Sequence, residues 1–102
     1  MYVVIFRSTR TLENQDLYRR WANQMDLAVK KSPGYISHFG FRDRDSGEGV
    51  TISYFESEEA IQGWKALAEH LEAQNLGREH FYSEYRVEVA QITRAYQWKK
   101  EI

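Results

Sequence analysis

Cysteine is missing from all 102 residues, which excludes disulfides, thiol nucleophiles, cysteine-held zinc and iron–sulfur clusters. Proline occurs once and glycine six times, so there is no flexible linker and no low-complexity segment to divide the chain. A charge surplus of one sign is also missing. Fourteen Lys and Arg stand against fifteen Asp and Glu, for a formal net charge of −1. Bulk electrostatics therefore offers no hold on nucleic acid or on an anionic membrane. Long apolar runs are absent as well. The opening run Tyr2–Phe6 is far too short to span a bilayer, and it lacks the basic start and small-residue cleavage site of a signal peptide. The expected location is the cytoplasm. The length fits one domain over 1–102, with 97–102 as a tail.

What is abundant is aromatic surface: seven Tyr, five Phe and three Trp, more than a core of this size needs. Tyr2–Phe6 reads as a strand buried on both faces. Asn14 or Thr11 can cap a helix whose stripe is Leu17, Trp21, Met25 and Ala28, and Pro33-Gly34 stops it. Tyr35–Arg42 reads as a second strand with Tyr35, Ser37, Phe39 and Phe41 on one face. A polar loop then leads into a third strand, Val50–Phe55. Ser57 followed by Glu58 and Glu59 marks a helix start. Ile61, Trp64, Leu67, Ala68 and Leu71 give that helix its apolar stripe, and Gly77 can end it. A last strand is expected from about Ser83 to Tyr96, bulged near Ala90–Gln91.

The order is β-α-β-β-α-β, the split βαβ pattern of a ferredoxin-like α+β domain with an antiparallel sheet. Two helices cover one face of four strands, yet large apolar residues occupy both parities: Val3 and Val4, Ile36 and Phe39, Tyr54 and Phe55. A second copy packed sheet to sheet is the simplest cover for the other face, so a homodimer is expected. RNA-recognition modules share this element order. Here Glu48 stands where they carry a basic residue, and stacking aromatics are lacking at the base-binding positions.

Several stretches resemble the antibiotic biosynthesis monooxygenase family. They are Pro33-Gly34-Tyr35, Tyr54-Phe55-Glu56-Ser57-Glu58-Glu59-Ala60 with Trp64, and His70 with Ala73-Gln74. Gly77-Arg78-Glu79 and Phe81-Tyr82-Ser83-Glu84-Tyr85-Arg86 complete the set. The resemblance covers roughly 1–96 and implies a dimeric α+β barrel. It also implies cofactor-free oxidation of a small aromatic or quinone-like compound by molecular oxygen. A haem-binding or haem-degrading protein and a non-catalytic ligand-binding dimer are the alternatives. Family members that degrade haem use an Asn, Trp and His set. Trp64 and His70 can be read as the last two, but strand one contains no Asn.

The residues themselves offer these candidates. His70 can take a proton near neutral pH, or can simply hydrogen-bond on the exposed side of a helix. Trp64 reads as pocket wall or core. Six residues separate the two, about 240° around a helix, so they share a site only if the helix breaks. Trp21, Tyr54, Phe81 and Tyr85 suit the walls of a pocket for an apolar planar ligand, or the core and dimer contacts. Arg78 can hold an anionic group or pair with a neighbouring carboxylate. His38 is expected at the interface. Glu56, Glu58 and Glu59 lack a histidine at ligand spacing, so no metal is expected.

Overall fold

In a computed structural model, which describes residues 1–74 and 81–101, six elements follow one another in the expected order. They are β1 (Tyr2–Arg10), α1 (Gln15–Lys30), β2 (Tyr35–Arg42), β3 (Glu48–Phe55), α2 (Glu58–Gln74) and β4 (Tyr82–Gln91). The strands form one antiparallel sheet in the order β2-β3-β1-β4. The long apolar strand β1 therefore lies inside the sheet, as its two-sided composition requires.

Both helices lie on one side. There the buried residues fall into two groups. Trp21, Phe81 and Tyr82 gather Phe6, Leu17, Tyr18 and Met25 around them. Val29, Phe55 and Ile61 gather Tyr2, Val4, Tyr35 and Trp64. Alternation along the strands sends Val3 and Ile5, and their cross-strand partners Tyr54 and Ile52, to the opposite side. Phe39 and Phe41 join them there, 46% and 74% exposed. Among the described residues, neither helix covers that face. Among the described residues no helix is long and apolar enough to cross a membrane.

Local chemistry explains the element ends. Ser57 Oγ accepts the Ala60 amide at 3.1 Å, the expected cap of α2. Asn14 precedes α1 in the left-handed conformation, and its backbone carbonyl rather than its side chain takes the Tyr18 amide. The β2–β3 hairpin closes through Asp43, whose carboxylate accepts the Ser46 amide at 2.7 Å. That bond, with the Ser46 hydroxyl, holds the carboxyl below its ordinary range.

Three expectations are corrected. β4 ends at Gln91, so the parity break beyond it is the end of the strand and not a bulge. The β1–β4 register shifts instead at Thr9–Arg10, opposite the beginning of β4. A second shift, between Tyr35 and Ser37, turns Tyr35 to the helix side, away from the face that carries Phe39 and Phe41. Gly77, the expected end of α2, lies outside the described residues.

Candidate active site on the helix side of the sheet

The aromatic side chains of α1, β1 and β4 converge because their strands are neighbours and the α1 stripe faces them. The rings of Trp21 and Phe81 lie 5.1 Å apart, those of Tyr18 and Phe81 5.6 Å, and those of Phe6 and Tyr82 5.5 Å. Tyr85 stacks on Phe6 at 5.7 Å and is 41% exposed, so it forms the open rim of this wall. Most contacts are edge-on or tilted, the arrangement that ring quadrupoles favour.

Polar tips are few and differently placed. Trp21 is 94% buried by its 6% exposure, and its indole N–H meets no acceptor among the described residues. Such an unmade bond costs about 1–3 kcal/mol. Burial pushes the Tyr82 phenol far above its ordinary pKa, and nearby Tyr18 adds to the effect. The Arg10 guanidinium lies over the Tyr18 ring, 3.6 Å from its centroid, and donates to the Phe81 carbonyl. Burial lowers its pKa from the ordinary arginine value. Arg42 reaches across Gly49 to donate to Ser8 Oγ on β1 at 2.8 Å, and it also donates to the Gly47 carbonyl of the hairpin loop at 2.6 Å.

A second polar group sits where α1 meets β2. Tyr35 Oη lies 2.7 Å from His38 Nδ1, and His38 Nε2 lies 2.7 Å from Asp26 Oδ1. The other carboxylate oxygen is 2.9 Å from Lys30 Nζ. The Lys30 bond, the largest influence, holds the Asp26 carboxyl below its usual range. Partial burial opposes it, and His38 contributes further. His38 thus faces α1 and not the open face where an interface was expected.

The structure unites Trp21, Phe81 and Tyr85 in one aromatic wall. Trp64 is half-buried in the other group, against Val29, Phe55 and Ile61. α2 runs unbroken from Glu58 to Gln74, so Trp64 and His70 do not share a side: His70 is exposed. Tyr54 lies on the open face, opposite Val3, away from Trp21 and Phe81. Arg78 lies outside the described residues. Among the described residues no three His, Asp or Glu stand together as a metal site. Sequence reading passed over Tyr35, His38 and Asp26 as a set. Positions three apart in a regular strand face opposite ways, and only the β2 register shift brings Tyr35 and His38 to one side.

Comparison with known proteins gives this geometry a family. The family model described as antibiotic biosynthesis monooxygenase matches residues 1–76. YqjZ of Bacillus subtilis, an uncharacterized protein, is 37% identical over 93 residues, covering 91% of this chain and 80% of that one. Jasmonate monooxygenase ABM of Pyricularia oryzae is 24% identical over 94 residues, and the match spans 91% of this chain but only 44% of that protein. Among solved structures, SnoaB of Streptomyces nogalater, a cofactor-independent oxygenase, superposes with a TM-score of 0.72 at 15% identity, over 92% of this chain and 94% of that one. The chain belongs to the antibiotic biosynthesis monooxygenase family.

Proposed function

We propose that this protein is a cofactor-independent monooxygenase of a small aromatic, quinol-like compound, working in the cytoplasm as a homodimer. The observation that carries the reading is the aromatic cluster on the helix side, within which the Trp21 indole N–H is buried without an acceptor among the described residues. A planar apolar ligand entering this cluster would meet ring faces and one unpaired donor. A phenol or quinol supplies both the flat ring and that oxygen. The family membership and the oxygenase names carried by SnoaB and the jasmonate enzyme point the same way.

The protein has two tasks in such chemistry. It must take a proton from the substrate, and it must keep water away from the electron-rich anion that results. The anion then reacts with molecular oxygen. One oxygen atom enters the ring carbon and the other leaves as water, so a phenol with a free ring position becomes a quinone. Trp21 and Phe81, with Tyr85 at the rim, wall the substrate in this reading. Trp64 lines the neighbouring apolar group. His70 is the sequence candidate for the proton, and its exposure leaves that role to be tested by substitution.

The homodimer follows from the open sheet face. Val3, Ile5, Ile52, Tyr54, Phe39 and Phe41 form an apolar patch that a second copy can cover about a two-fold axis.

Oxygen uptake with a panel of phenols and quinols tests the activity. Consumption that falls sharply in Trp21→Phe, with His70→Ala as the companion variant, is the expected result. Binding of these compounds with no oxygen uptake would reassign the chain as a ligand-binding dimer.

A further inference from the structure

The group Lys30–Asp26–His38–Tyr35 is a continuous hydrogen-bonded chain that runs from an exposed ion pair on α1 to a half-buried tyrosine on β2. We propose that Tyr35 is the proton acceptor for a phenolic ligand, driven by His38 and Asp26 as positioning residues. This deepens the monooxygenase reading and rests on it for the class of substrate, but it puts Tyr35, beside the Trp64 group, in the proton-accepting role that the sequence offered to His70.

The order of the groups fixes the direction. The Asp26 carboxylate can only accept, so the 2.7 Å contact places the imidazole proton on Nε2. In the neutral imidazole Nδ1 then carries the lone pair and accepts the Tyr35 O–H at 2.7 Å. Lys30 holds the far carboxylate oxygen at 2.9 Å, which fixes the carboxyl in its ionised state and in this rotamer. Among the described residues, these are the charged and titratable groups bonded around His38, from α1 and β2 alike. When a phenolic ligand meets Tyr35, the ligand O–H bond breaks and its proton passes to Tyr35 Oη. The proton of Tyr35 passes to His38 Nδ1. The ligand is left as phenolate, and the imidazolium is stabilised between Tyr35 and Asp26.

Position supports the same direction. Tyr35, half-buried, lies at the end of the chain away from Lys30, edge-on to the buried Phe55 at 6.1 Å and in the apolar group that Trp64 also joins. Exposure rises along the path, from 18% for the His38 side chain to 42% for Asp26 and 54% for Lys30. A proton passed to His38 thus has a route to water. The β2 register shift is what aims both side chains of the path at α1, and shifts of this kind commonly re-aim side chains beside active sites.

4-Nitrophenol, whose phenolate is coloured, tests the assignment directly. At a pH below the probe's own ionisation, the wild-type protein is expected to raise the phenolate band of the bound probe. Tyr35→Phe and Asp26→Asn, checked for native circular dichroism, are expected to lower the bound phenolate fraction about tenfold, one pKa unit. Long-range nitrogen NMR of His38 should show Nε2 protonated and Nδ1 bare. A probe that binds without ionising, an unchanged band in Tyr35→Phe, or the opposite tautomer would overturn the path. Oxygen uptake on the same proteins decides the activity separately. A wild type that ionises the probe yet consumes no oxygen keeps the path and rejects the oxygenase.

Discussion

Asp26 links three side chains, and its titration should be visible in the stability of the whole chain. Its folded pKa is depressed, chiefly by the Lys30 hydrogen bond. A depressed carboxyl contributes stability that is fully present above the unfolded value, about 3.9, and is lost as pH falls through the folded value below it. Urea denaturation should therefore show wild type losing stability below about pH 4, with that acid limb flattened in Asp26→Asn. Equal acid limbs in the two proteins would assign the loss to other carboxylates. By residue type alone, Trp21 and Phe81 were open between core and pocket wall, and only the neighbouring strands bring them into contact. The Tyr35–His38 pair was not legible, because its parity in sequence is wrong for contact and only the strand shift repairs it. The exposed position of His70 was one of the two readings that the helix periodicity left open.

At the scale of elements, two glycines mark opposite situations. Gly34 turns the chain from α1 into β2 with φ +83°, and a Cβ there would stand 2.5 Å from the Ala60 Cβ on α2. It allows both the left-handed turn and the close approach of α2 to the start of β2. Gly63 lies within α2 with nothing within 4 Å of an added Cβ. Gly34→Ala should cost roughly 1–3 kcal/mol from strain and collision. Gly63→Ala should add about 0.5–1 kcal/mol through helix propensity. Thermal melts of the two variants check both signs, and a destabilised Gly63→Ala would contradict the open surroundings of that residue. Pro33-Gly34 was readable as a helix stop, as was the Ser57 cap. The ends of β4 were not, because a parity break reads the same for a bulge and for a strand end until its partner strand is known.

For the whole molecule the consequence lies on the sheet face that no helix covers. Its middle is apolar, with Ile5, Ile52 and Phe39 in neighbouring positions across three strands. One side is polar, where Arg7 and Arg86 reach Glu88 at 3.7 and 3.1 Å. A stable sheet-to-sheet dimer would bury more than about 1,200 Å² in total. Sedimentation velocity should show a dimer for wild type and a monomer for Phe39→Glu, because that change leaves a charge in the middle of the contact. A monomeric wild type at micromolar concentration would reject the arrangement.

The element order, the amphipathic helices and the two-sided character of β1 were determined by the sequence alone, because hydrophobic period and turn chemistry are local properties. The family resemblance was carried by short runs of residues in the same way. Tertiary structure decided which aromatics share a wall, that Tyr54 faces away from it, and that Asp26, His38 and Tyr35 meet. Those outcomes depend on strand order and on one extra residue in a register. No window of sequence contains either, since both are set by which strands pair.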